Sequence, residues 1–332
     1  MGGLAACVGP LLRARDTEEE DITFYVVSDP QIHLDKWGTA GTEQTIRTIN
    51  ELPGKPFPHG GKVGPARAVL VAGDLVDAVD DPRHWAAYKK LFDPNGEALL
   101  RFRAFECIGN HDVSAESADG FNSVQREFIE RNKGRRGDEV FHYDRHHYHY
   151  SWDWGPLHLV NLNLFPGNQH RPVYDREARW NNPVRSLDFL RDDLRDRVGD
   201  SGRPVILMWH YGLRGWGLEK WWTPDDLAAL KKTIEPYNVV LILHGHEHAF
   251  AQYVWEEYPV FMCPSPQKDR DPKTPGVEST AKGFLVIRLQ GGRLQLAHHN
   301  ADGWAETWAR EIRLGNKTPA TAGAGALPEI TK

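Results

Sequence analysis

Several things are scarce in this sequence, and each shortage excludes something. No apolar run in the 332 residues approaches the ~20 consecutive residues a bilayer-spanning helix needs. The three cysteines, Cys7, Cys107 and Cys263, lie too far apart to form a disulfide framework or a zinc ribbon. Positive charge is not in excess. The net charge of -6 gives no overall basic field to gather nucleic acid, so no nucleic-acid partner is expected, although a local basic patch stays open. No internal repeat is found. What is present is ordinary for a globular protein, with 40% hydrophobic and 26% charged residues. The length suits one large core or two small domains. Twelve tryptophans and sixteen histidines are more than expected and hint at a ring-lined pocket and metal chemistry.

The termini differ from the rest. Residues 1–21 read as a leader, loose and charged from residue 10 onward. Within it, Leu4-Ala5-Ala6-Cys7 resembles the lipobox of bacterial lipoproteins, but the basic n-region and most of the apolar h-region are missing. Lipidation of Cys7 would make the chain exported and membrane-anchored; otherwise it is expected in the cytoplasm. Cys107 and Cys263 sit in apolar strand-like runs and read as buried thiols. Residues 315–332 are poor in large apolar side chains and read as a disordered tail. Residues 22–314 between them read as one domain.

Within that domain, strands and helices alternate. Strands are expected at 22–27, 66–72, 102–108, 204–209 and 239–243, and helices at 41–52, 82–92 and 121–133. The run "EVFHYDRHHYHYSWDWGPLHLVNLNL" alternates with period two, as antiparallel strands do. Leu187, Leu190, Leu194 and Val198 mark one helix face, and Thr223-Pro224 caps another helix. Short strands follow to about residue 298. The pattern predicts an α/β fold of two packed sheets with helices outside.

Five apolar strands each deliver Asp, Asn or His at the carboxyl end, the edge where open α/β sheets bind ligands. They are Asp29; Asp74 in Gly73-Asp74-Leu75-Val76-Asp77; Asn110-His111-Asp112; His210; and His246-Glu247-His248. A lone Gly-Asp after a strand is usually a turn, and a His-rich loop is usually solvated. Their joint, ordered occurrence is what argues against those readings. In this order the motifs resemble the calcineurin-like metallophosphoesterases, with their D-x-H, GD-x-x-D, GNH-D/E, lone His and GH-x-H signatures, over residues 22 to about 250.

The resemblance implies a two-layer mixed β-sandwich flanked by helices, and a centre of two divalent metals (Mn, Fe or Zn, with Mg or Ni also open). It puts Asp29, Asp74 and His248 on the first metal and Asp74, Asn110, His210 and His246 on the second, with Asp74 shared. Two such cations ~3.5–4 Å apart neutralise a phosphate and generate hydroxide from water near neutral pH. His111 would stabilise the transition state or protonate the leaving oxygen, and Asp77 would orient it. Ala78 stands where Ser/Thr protein phosphatases carry Arg, and Asp77 where purple acid phosphatases carry Tyr, so neither subclass fits. The expected activity is phosphomonoester hydrolysis, with phosphodiester hydrolysis as the nearest rival and a non-catalytic binding module as a weaker one.

The stretch "VVSDPQIHLD" departs from the motif. Gln31 holds the place two residues after Asp29, and His33 lies two further on. An amide oxygen is a neutral, hard ligand, poorer than imidazole for zinc. Gln31 is expected to ligate or hydrogen-bond at the first metal, with His33 at the cavity mouth near substrate. The alternative is that the chain loops out and His33 completes the site. Cations interleave with aromatics at 36–37, 134–137, 144–150, 167–172, 210–217 and 221–222. With Arg171 and Arg214 favoured as phosphate forks, these suggest a small phosphorylated partner, sugar- or inositol-phosphate-like.

Overall fold

The computed structural model describes residues 21–113, 127–128, 130–132, 140–168, 182–214, 218–267 and 282–315. Three strands open the chain: β1 (Ile22–Val27), β2 (Ala66–Val71) and β3 (Ala104–Glu106). A meander follows as β4 (Val140–Tyr143), β5 (Tyr150–Trp154) and β6 (Leu157–Asn161), then β7 (Val205–Met208) and β8 (Val239–His244). The chain closes with β9 (Ala251–Trp255), β10 (Tyr258–Met262), β11 (Phe284–Gln290), β12 (Arg293–Asn300) and β13 (Gly303–Glu311). The principal helices are α1 (Ala40–Glu51), α2 (Pro82–Leu91), α3 (Ser186–Asp193) and α4 (Pro224–Ile234).

The strands form two mixed sheets. The first has the order β13-β12-β11-β1-β2-β3, with β1, β2 and β3 parallel. The second runs β4-β5-β6-β7-β8-β10-β9, with β6, β7, β8 and β10 parallel. The sheets pack through aromatic rings: Phe24 of β1 meets Trp154 at 5.4 Å, and Phe105 of β3 stacks on Trp152 at 4.5 Å. Ile46 and Ile49 of α1 and Trp85, Tyr88 and Leu91 of α2 join this core, while Leu190 of α3 and Leu230 and Ile234 of α4 belong to a second apolar cluster that includes Leu207 of β7 and Ile242 of β8. Strands β1, β7 and β8 are buried at every residue, which is why they read as unbroken apolar runs.

Local chemistry fixes the helix starts. Thr223 Oγ1 accepts the Asp226 amide at 3.1 Å, and the Asp226 carboxylate accepts the Thr223 amide at 3.0 Å, a reciprocal cap in front of Pro224. Asp81 accepts the Arg83 amide at the head of α2.

The expected strand at 102–108 shortens to Ala104–Glu106, because the chain turns at Gly109 into a 3₁₀ turn over Asn110–Asp112. Strand structure continues past residue 298 to Glu311. The last strand is a sheet edge whose exposed charged residues dilute its apolar alternation. Of the helix expected at 121–133, only residues 127–128 and 130–132 are described, and they are helical. Cys107 and Cys263 are buried and unbridged; Cys7 lies outside the described residues. No helix among the described residues is long and apolar enough to cross a membrane.

Candidate metal centre

The parallel strands of both sheets point the same catalogue of side chains at one place. Asp29 follows β1, Asp74 follows β2, Asn110 follows β3, His210 follows β7, and His246 and His248 follow β8. Asp29, Gln31, Asp74, His246 and His248 all hold positive φ, from 38° to 77°. Non-glycine residues rarely adopt that conformation, and its concentration here indicates backbone set for side-chain placement. Two glycines make the approach possible. A side chain at Gly109 would collide with the Asp74 carboxylate, and one at Gly73 with the His210 ring.

Two groups of ligand atoms converge. Asp29, Asp74 and His248 form one, and Asp74, His210 and His246 the other, with the atoms of each group within 4.8 Å of one another. Asn110 Oδ1 lies 3.1 Å from His210 Nε2, joining the second group. Gln31, fully buried, donates Nε2–H to Asp74 Oδ2 at 2.9 Å. It therefore lies at the junction of the two groups.

These residues fit a pair of cations. Asp29 Oδ1 is buried without a hydrogen bond, 3.4 Å from His248 Nε2 and 4.0 Å from His210 Nε2. Burial works to lower the His210 imidazole, yet Asp74 and Asp29 beside it lift it to about 9. Burial would raise the Asp74 carboxyl, but His210, His111 and His246 hold it well below the usual carboxylate range. Burial and the neighbouring His210 keep His246 neutral, the form in which imidazole ligates metal. The pocket thus favours positive charge, and its carboxylate, imidazole and amide donors suit first-row divalent ions.

His111 stands beside this centre. Its amide donates to Asp74 Oδ1 at 2.8 Å, and its Nδ1–H donates to the Asp77 backbone carbonyl at 2.9 Å. The Asp77 carboxylate is farther, at 3.4 Å, and takes Lys36 Nζ at 2.9 Å on its other oxygen. Asp77 therefore meets His111 Nδ1 twice, through its main-chain carbonyl at 2.9 Å and through its carboxylate at 3.4 Å.

His33 does not join Asp29. The chain turns after Gln31, and His33 packs on His84 with ring centroids 4.3 Å apart and on Trp37 at 5.5 Å. Its Nε2 is 4.0 Å from Asp77 Oδ2. His33 thus sits among Asp77, His84 and Trp37. Arg214 lies over the Tyr253 ring at 4.3 Å, and Tyr253 Oη bonds His244 Nε2 at 2.7 Å. This packing links Arg214 through Tyr253 to the end of β8. Arg171 lies outside the described residues, as do 134–137.

Two roles escaped the sequence reading, those of Asp112 and of the serines around Asp29, while the aromatics at 221–222 were singled out by it. Asp112 accepts the amides of Gly109 at 2.8 Å, Leu75 at 2.9 Å and Val76 at 3.1 Å, locking the second and third motif loops together. Its signal was available as an acidic residue three positions after a turn-opening glycine. Ser28 bonds the Asp29 carboxylate, and Ser265 Oγ donates to the Asp29 carbonyl at 2.8 Å. Trp221 stacks on Tyr211 at 4.3 Å and meets the His246 ring at 5.9 Å, forming an aromatic wall on the second group.

A sequence model of the family described as calcineurin-like phosphoesterase matches residues 22–250. No curated protein matches the chain. Among solved structures, the chain is similar to a dimetal phosphatase from Danio rerio, at 12% identity and TM-score 0.54, covering 88% of this chain and 99% of that one. It is also similar to an anchor in the inner membrane complex of Plasmodium, at 12% identity and TM-score 0.52, covering 91% and 90%. A third is PhoD, at 12% identity and TM-score 0.51, covering 92% and 73%. At such identity these likenesses concern the fold alone.

Proposed function

We propose that this chain, which belongs to the calcineurin-like phosphoesterase family, is a dinuclear-metal enzyme that hydrolyses a phosphomonoester. The observation carrying this reading is the pair of ligand groups that share Asp74. Asp29, Gln31, Asp74 and His248 would hold one cation, and Asp74, Asn110, His210 and His246 the other. Such a pair supplies charge neutralisation of the phosphate and an acidified water near neutral pH.

The remaining work falls to the chain's own side chains. His111 Nδ1–H is committed to the Asp77 carbonyl, so Nε2 is the atom that carries a proton to the leaving oxygen. Lys36, 56% exposed beside Asp77, brings a cation to the His111 side of the site. The buried Tyr211–Trp221 stack lines the His246 side of the second ligand group with apolar rings, and the substrate class proposed is sugar- or inositol-phosphate-like.

A fold does not by itself imply turnover. The retained carboxylate and imidazole set is what favours catalysis here. The test is phosphate release from aryl phosphate, sugar phosphates, inositol phosphates and cyclic nucleotides, with Mn, Zn, Mg, Ni and Fe(II) each supplied. Monoester turnover abolished by a chelator is expected. Turnover of cyclic nucleotides alone would assign a phosphodiesterase, and no turnover with any metal would leave a binding module.

A further inference from the structure

A third cluster of metal-ligating side chains lies outside the pair described above. His33, Asp35 and His84 bring one ligand atom each to within 4.8 Å of one another. They come from two well-anchored elements. The loop after His33 folds back on itself, with the amides of Lys36, Trp37 and Gly38 all donating to the His33 carbonyl. His84 sits in the first turn of α2, whose start is fixed by Asp81.

The histidine nitrogens are set for ligation. His84 Nδ1 faces the Ala78 carbonyl at 3.2 Å, so that nitrogen carries the hydrogen and Nε2 carries the lone pair. His84 is 1% exposed, and its Nε2 has no hydrogen-bond partner. His33 Nδ1 is likewise buried without one. An imidazole whose second nitrogen donates to a backbone carbonyl is the usual arrangement of a metal-bound histidine. Asp35 is the third member of the cluster, while Asp81, whose Oδ2 is 3.7 Å from His84 Nε2, has both oxygens held by Arg83. Arg83 bonds Asp35 Oδ2 at 2.8 Å, and a carboxylate has a second oxygen with which to ligate.

We propose that His33, Asp35 and His84 bind a single zinc-class divalent cation, a site separate from the two groups that share Asp74. Two imidazoles and one carboxylate with an open position suit tetrahedral zinc better than magnesium or calcium, which prefer oxygen. A tetrahedral ion with bonds of about 2.0–2.2 Å needs ligand atoms roughly 3.4 Å apart, so modest side-chain rotations close the site. The cation would pin the loop carrying Lys36 and Trp37 to α2. One of its ligands, His33, would stand 4.0 Å from Asp77, whose backbone carbonyl holds His111.

The test is zinc content of the full chain after equilibrium dialysis, measured by elemental analysis on folded protein. His84→Ala and Asp35→Asn are each expected to hold one equivalent fewer than the unaltered chain. Asp74→Asn, which removes the ligand common to the other two groups, is expected to keep the equivalent that His84→Ala loses. The Asp35 substitution is on an exposed side chain and keeps the test open if His84→Ala fails to fold. Zinc content in Asp35→Asn equal to that of the unaltered chain overturns the proposal, and it does so whether or not the protein proves to be a phosphatase.

Discussion

Gln31 Nε2 and Asp74 Oδ2 are 2.9 Å apart, both side chains buried and both backbones at positive φ. The amide reaches the one carboxylate that both ligand groups share. A glutamine in this position acts on the metal centre through Asp74, or through its own carbonyl oxygen after an amide flip. In the first case it steadies a charged ligand, and in the second it contributes a neutral, hard oxygen where an imidazole would contribute a softer nitrogen.

Gln31→Ala is therefore expected to weaken metal binding by about 10–100-fold, the usual cost of losing a group that supports a ligand. Gln31→His is expected to shift preference toward zinc relative to manganese. Competition titrations of the two metals against each variant check both statements. Unchanged affinity in Gln31→Ala would remove Gln31 from the centre.

Asp74→Asn preserves volume but leaves one neutral oxygen where two charged oxygens serve two groups. Turnover is expected to disappear and bound metal to fall, read from aryl phosphate hydrolysis and elemental analysis on the same sample. Full turnover in this variant would sink the shared-carboxylate reading.

His111→Ala is expected to lower turnover by roughly 10²–10⁴-fold, the worth of positioned acid–base help, with metal content unchanged. The pH profile of the residual activity should lose one limb. Metal loss in this variant would instead place His111 among the ligands.

Much of this arrangement was legible in the sequence, for a physical reason. Strands buried on both faces, such as β1 and β8, read as unbroken apolar runs, so the polar residue that ends each one stands out. The substitution of Gln31 for an imidazole was visible as spacing alone. What the sequence hid were main-chain facts. Nothing in Asp29, Gln31 or His246 announces a left-handed backbone, because only glycine advertises that conformation. Asp112 advertises its bond to the Gly109 amide by its spacing, but the two amides it takes from the other loop, Leu75 and Val76, are revealed by no residue type. His84 lies in α2 beside Trp85, where a histidine reads as packing; its neighbour His33 is far away along the chain.

Asp112 carries the next expectation. Its carboxylate satisfies three buried amides from two loops, and removing it strands all three. Asp112→Ala is expected to cost roughly 3 kcal/mol or more, at 1–3 kcal/mol per unsatisfied buried group. Turnover should fall with it, since Asp74 and Asn110 flank the lost clamp. Chemical denaturation measures the first effect. Stability within 1 kcal/mol of the unaltered chain, roughly the worth of a single net hydrogen bond, would mean that the loops are held otherwise.

His149 supplies a pH dependence away from the metal centre. It is fully buried, its Nε2 donates to the Val184 carbonyl at 2.9 Å, and its Nδ1 accepts the Asn163 amide at 3.2 Å. That pattern requires the neutral ring, since a proton on Nδ1 would confront the Asn163 N–H. Burial accordingly pushes the His149 imidazole down to about 4, from an ordinary value of 6.5. Between those values the unfolded chain binds a proton that the folded chain refuses, so stability rises with pH across the window and is lost as pH falls from 6.5 toward 4. The contribution is on the order of 1–3 kcal/mol. His149→Gln keeps a donor and an acceptor on the side chain without titrating, and should flatten that part of the profile while lowering stability modestly at neutral pH. Urea midpoints of both proteins across the window measure the difference. Parallel profiles for the two would show that His149 titrates normally in the folded chain and that the acid sensitivity lies elsewhere.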